Sequence, residues 1–227
     1  MRPHRANLLA AGAMVAIAAC RTGAPARKAA APFRPAAAAS PASDVDPAEG
    51  RDLAARLFGR DPLVADARLL RYVALVGRTV AGPERAARLR FAVTRSDLPY
   101  ATAFPGGIVV ISRGLIFEMD SEAALAVTLG REMCRSETGA AREFPVGALD
   151  EGDRDRETEL DACGARRASA AGYDAAAFLH LLETLQDRAA SVRGKSDLAA
   201  RREELRKLEP ARGGKLLSER FRRSAIM

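Results

Sequence analysis

The chain has no tryptophan and few other aromatic residues, which make up 5% of its 227 positions. Surfaces that read nucleic acid interleave aromatic side chains with clustered cations on one face. That scarcity, together with the export leader described below, excludes the class. Histidine is also rare: only His4 and His180 occur, and His180, set between Leu179 and Leu181, reads as a structural residue rather than a ligand. Cysteine occurs three times. The apolar run over 8–19 falls short of the roughly 20 residues that a membrane-spanning helix needs.

What that run does fit is an export signal. Arg2 and Arg5 precede it, and small residues lead into Cys20. Ile17-Ala18-Ala19-Cys20 resembles the bacterial lipobox, which implies that residues 1–19 are removed and Cys20 is acylated, anchoring the protein to an envelope membrane. An ordinary cleaved signal, or a buried cysteine, is the alternative. Arg21 after the cysteine, in place of aspartate, favours the outer membrane. Residues 21–43 are mostly alanine and proline with scattered arginines, a composition that cannot bury a core and serves as a tether. We place the lipidated cysteine and tether at 20–50, a folded domain at 51–190 and a basic helical tail at 191–227.

The formal charge is +7; loss of Arg2 and Arg5 with the leader leaves 34 basic against 29 acidic residues. The excess sits largely toward the C-terminus, where anionic headgroups or acidic partners are the natural targets. With Cys20 used for lipid, Cys134 and Cys163 remain. They can pair in an oxidising compartment or stand as two small buried residues, since sequence does not give the separation a disulfide requires.

Periodicity places the elements. Asp61-Pro62 is read as opening a helix over 63–80, with Leu69, Val73, Val76 and Val80 as its buried stripe, ending at Gly82-Pro83. Residues 89–94 alternate as a strand, a turn-like segment leads to Pro105-Gly106-Gly107, and residues 108–111 form a second strand. Asp120 and Glu122 place negative charge where the macrodipole of the next helix favours it. In that helix Leu125, Leu129 and Met133 face the core, while Thr128, Arg131 and Arg135 lie on an adjacent face. A surface loop is expected over 137–153, then a helix over 154–171 that stops at Gly172. Asp174 is read as capping a further helix with Phe178, Leu181, Leu182 and Leu185 inside, and a charged helix runs beyond Gly194 to Leu208.

Three blocks then resemble a family of zinc metallopeptidases that includes the CAAX prenyl endopeptidase, the heat-shock protease HtpX and periplasmic proteases of outer-membrane assembly. Tyr100-Ala101-Thr102-Ala103-Phe104-Pro105-Gly106-Gly107-Ile108-Val109-Val110-Ile111-Ser112-Arg113-Gly114-Leu115 resembles the block before the family's active-site helix. The helix from Glu122 through Arg135 resembles its HExxH helix. Glu157-Thr158-Glu159-Leu160-Asp161, followed by Ala171-Gly172-Tyr173-Asp174, is similar to its E-x-E-A-D helix and the turn after it. The resemblance covers about 63–186. It implies an α+β, mainly helical domain with a small sheet or hairpin beside the former active-site helix. It also maps the general base onto Glu132, the third zinc ligand onto Glu157 and a supporting aspartate onto Asp161. Gly107, Ile108, Val109 and Val110 match the strand that receives an extended peptide in active relatives.

The departures decide what function survives. Both zinc-binding histidines of HExxH map onto arginines, Arg131 and Arg135, and a further histidine of the family would fall near Lys195-Ser196. A guanidinium has no lone pair to offer a metal and stays protonated, so no zinc is expected. A substitute site from Glu132, Cys134, Glu157 and Glu159 would have two fixed cations beside it repelling the ion. We therefore expect charge replacement, in which Arg131 or Arg135 bridges to Glu157 and ties the two helices together; two solvated arginines are the alternative. The function expected is an inactive pseudopeptidase of the envelope that binds unfolded or outer-membrane polypeptides or assembly proteins. A metalloendopeptidase with other ligands and a purely structural lipoprotein are the competing readings.

Overall fold

A computed structural model describes residues 47–138, 153–208, 210 and 212–226. The leader, Cys20 and nearly all of the tether lie outside these residues, as does 139–152 of the expected loop. The fold is α+β and mainly helical, with one small three-stranded mixed sheet. None of its helices is long and apolar enough to cross a membrane, among the described residues.

α1 (Pro47–Arg60) begins inside the stretch read as tether and buries Ala54 and Leu57. α2 (Ala67–Ala81) starts later than expected. Its cap is Asp66, whose side chain accepts from the backbone N–H of Arg68 and Leu69, while Leu63 and Val64 instead pair with the sheet at Thr94 and Val93. The expected stripe of Leu69, Val73, Val76 and Val80 is buried. Gly82 ends the helix at φ 75°, and Pro83 opens the short α3 (Pro83–Ala86).

The sheet contains β1 (Arg90–Thr94), β2 (Ala101–Phe104) and β3 (Ile108–Ser112) in the order β1-β3-β2, with β1 parallel and β2 antiparallel to β3. β2 occupies the segment read as turn-like. Its side chains alternate as a strand requires: Ala101 and Ala103 join Val93, Val109 and Ile111 in the main core, while Phe104 joins Val110, Ala54 and Leu57 in a smaller cluster under α1. The sheet is thus covered on both faces.

Ser112 caps α4 (Arg113–Phe117) and Ser121 caps α5 (Glu122–Glu137), each accepting a backbone N–H three residues on. α5 is the centre of the molecule, buried on nearly every side from Glu122 to Cys134. The face carrying Thr128 and Arg131, expected beside the core, is inside it. α6 (Arg154–Ala170) packs along α5. α7 (Ala177–Arg188) buries Phe178, Leu181, Leu182 and Leu185 as expected, but Asp174 does not act as its N-cap. The Asp174 carboxylate accepts instead from the N–H of Ala176 and of Gly213. α8 (Val192–Lys207), α9 (Ser218–Phe221) and a π-helical turn (Arg222–Ile226) follow. The segment read as a basic tail supplies Leu198, Leu205 and Phe221 to the main core.

Candidate functional site

The site lies where α5 and α6 touch. Gly164 permits the approach: a Cβ there would sit 2.6 Å from the Val127 carbonyl oxygen and 2.7 Å from the Arg131 nitrogen, so any larger residue would push the helices apart. On α5, Arg131 and Arg135 are one turn apart; on α6, so are Glu157 and Asp161. Spacing of i, i+4 puts each pair on one face, and the two faces meet.

Arg131 is fully buried and all three of its donor positions are used. Its Nε donates to Asp161 Oδ1 at 2.8 Å, Nη1 donates to Glu132 Oε1 and Nη2 donates to Glu157 Oε2. Arg135, 17% exposed, donates from Nε to Glu132 Oε2 at 2.9 Å and from Nη2 to both oxygens of Glu157 at 2.8 and 2.9 Å. Arg201, on α8, completes the set. Its Nε and Nη2 grip Asp161 Oδ2 and Oδ1, each at 2.9 Å.

Three guanidiniums thus face three carboxylates in a cluster of zero net charge. Isolated charges would be far too costly at this depth; here each carboxylate oxygen accepts at least one charge-assisted hydrogen bond. Burial pushes the Arg131 guanidinium down from its ordinary value, Glu132 and Asp161 hold it up, and Arg201 and Arg135 add to the lowering. Arginine starts so far above neutrality that it stays a cation in such a setting.

A zinc ion, which the resemblance implies for intact relatives, does not fit this donor set. The space between Glu132 and Glu157 is filled by guanidinium groups, and the carboxylate oxygens a metal would need already accept from them. The substitute set fails as well. Cys134 is joined to Cys163 in a disulfide with Cα atoms 6.4 Å apart, and Glu159 is exposed to solvent. Among the described residues no three His, Cys, Asp or Glu side chains are grouped to hold a metal ion. Both oxygens of Glu132 accept from guanidinium groups, Oε1 from Arg131 and Oε2 from Arg135.

The peptide-receiving strand requires a correction. Gly107 lies in the β2–β3 turn at φ 80° rather than in a strand, and Ile108, Val109 and Val110 belong to β3, which is paired on both sides. Strand addition needs an unpaired edge, and β3 has none. His180 is exposed, 3.7 Å from Asp120 and 3.8 Å from Glu183.

Sequence reading missed Arg201 and the burial of a further carboxylate outside the cluster. The signal for Arg201 was its place in the α8 stripe, between Leu198 and Leu205 at i+3 and i+7. Glu122, read as a dipole partner at the start of α5, is fully buried and accepts from Tyr72 Oη at 2.7 Å, Tyr173 Oη at 2.8 Å and Arg220 Nε at 2.5 Å, with Arg220 Nη2 on its other oxygen. Burial works to raise the Glu122 carboxyl, but Arg220 and the two tyrosines outweigh it, and the group sits below the usual carboxylate range. Arg220 therefore clamps the C-terminal segment onto the head of α5, beside the buried Phe221 ring. Compared with known proteins, the chain matches no family model and no curated sequence.

Proposed function

We propose that this chain is a catalytically inactive relative of the zinc metallopeptidases, held by an N-terminal lipid on Cys20 at the bacterial cell envelope, where its domain acts by binding envelope polypeptides or assembly proteins. The observation that carries the reading is the replacement of the metal's role by guanidinium: Arg131 and Arg135 bridge Glu132 on α5 to Glu157 on α6, the positions that the resemblance assigns to the general base and the third ligand. The disulfide between Cys134 and Cys163 supports an oxidising, extracytoplasmic setting. Binding does not proceed by strand addition to β3.

The test is metal analysis of the purified protein with a casein cleavage assay, with and without chelator. We expect no stoichiometric zinc and no chelator-sensitive cleavage. Stoichiometric zinc, with cleavage abolished in Glu132→Gln, would establish a working peptidase instead. The pairing of β3 on both edges favours a second reading, a purely structural envelope lipoprotein; recovery of one specific partner by crosslinking in the native envelope argues against it.

A further inference from the structure

A cavity of about 270 Å³ opens between the start of α2, the end of β1, α4 and the C-terminal π-helical turn, on surface that the charge cluster does not use. Its walls combine three arginines, Arg68, Arg95 and Arg113, with the apolar side chains of Val64, Phe117 and Ile226. Arg68 and Arg95 form no salt bridge among the described residues. Arg113 donates from Nη2 to Asp97 at 3.1 Å and lies 5.8 Å from the centre of the Phe117 ring, but its Nε is buried without a hydrogen-bond partner. A buried donor left open usually marks a missing acceptor. Two acids stand against the three arginines: Asp66, which lines the cavity and caps α2, and Asp97, which pairs with Arg113, so one positive charge is left over.

The rim carries exposed apolar side chains. Of the eight large hydrophobic side chains exposed among the described residues, Phe117 and Ile226 line the cavity and Leu63 adjoins its wall at Val64, each 40% to 50% exposed. Exposed arginines set beside exposed leucine, isoleucine and phenylalanine match the bilayer interface, where phosphate lies just outside the acyl chains. An acidic peptide would complement the cations but leave the three apolar side chains in water.

We propose that this cavity is a docking site for the phosphate headgroup of an anionic phospholipid, with Leu63, Phe117 and Ile226 entering the interfacial layer. The domain then lies on the membrane through its own surface, independently of an acyl chain on Cys20 and of any descent from a peptidase.

The absence of tryptophan supplies the probe. Phe117→Trp, placed in the full chain with Cys20→Ser to remove acylation, gives a single indole at the rim. Its emission should shift to the blue with vesicles rich in phosphatidylglycerol, not with phosphatidylcholine alone, and the shift should vanish at high salt. Each arginine near an anionic surface is worth roughly five-fold in partitioning, so Arg68→Gln/Arg95→Gln/Arg113→Gln should weaken it on the order of a hundred-fold. Arg68→Gln/Arg95→Gln, which leaves the Arg113–Asp97 pair intact, should weaken it about twenty-five-fold. Equal partitioning of the arginine variants and their parent overturns the proposal, as does an equal response to phosphatidylcholine. An equal response to inorganic phosphate or to polyglutamate assigns the cavity to a free anion or an acidic peptide, and overturns the lipid assignment.

Discussion

If the cluster replaces a metal bridge, Arg131 and Glu157 are energetically coupled. Arg131→Ala removes three charge-assisted hydrogen bonds, yet each carboxylate keeps one cation: Arg135 on Glu132 and Glu157, and Arg201 on Asp161. No single group is orphaned, but one negative charge is left over inside the protein. Breaking a buried pair costs about 3–5 kcal/mol, and the remaining partners place this variant near 3 kcal/mol. Glu157→Ala leaves one positive charge over instead, relieved by solvent at Arg135. We expect roughly 2–3 kcal/mol. The double variant restores zero net charge and should lose less than the sum of the two by about 1–3 kcal/mol. Urea unfolding of the full chain with the disulfide intact measures all three, provided the slope with denaturant is unchanged. Effects that add to within about 0.5 kcal/mol would refute the bridge.

Gly164→Ala brings a methyl group into the α5 backbone and should cost about 1–3 kcal/mol, read in the same unfolding experiment; a neutral result would mean that the helices do not touch there. Reduction of the Cys134–Cys163 disulfide, which closes a separation of 29 residues, should cost about 3–4 kcal/mol by chain entropy, visible as a fall in Tm under reductant and absent in the Cys134→Ser/Cys163→Ser variant. Glu122 has a folded pKa below its unfolded one, so the unfolded chain takes up the proton first as pH falls. Its contribution is present above about pH 4.5 and lost below it, and Glu122→Gln should flatten the acid limb of a stability profile. Tyr100, pushed up to about 12 chiefly by burial, works in the opposite direction. Stability should drop as pH rises from about 10 toward 12, and Tyr100→Phe should reduce the drop. Arg131→His/Arg135→His should create a zinc site with Glu157, detectable by titration with the metal, because two imidazoles four residues apart then face its carboxylate.

Helical periodicity was legible wherever apolar residues recur cleanly: the stripes of α2, α5 and α7 are buried at the expected positions. β2 was not, because Ala101, Thr102 and Ala103 carry too little side chain to announce a strand, and pairing with β3 makes it one. The start of α2 went to Asp61 rather than Asp66 because both precede apolar residues; pairing of 62–64 with β1 settles the choice. In the site, spacing puts Arg131 with Arg135 and Glu157 with Asp161 on one face of each helix, but that the two faces meet was implied only by the resemblance. Neither placed the third cation. Arg201 reaches Asp161 only because α8 folds back on α6, which is tertiary information, and the burial of Glu122 depends on a contact with Arg220 almost a hundred residues away. The central place of β3 is likewise a matter of strand order, to which no local pattern points.

The disulfide carries a consequence for the fate of the protein under proteolysis. Cys134 and Cys163 flank every residue from 135 to 162, so a single nick anywhere in that interval yields two chains still covalently tethered. Such a molecule would run as intact on a non-reducing gel and separate into two fragments only once a thiol is added, so damage there escapes detection unless the sample is reduced.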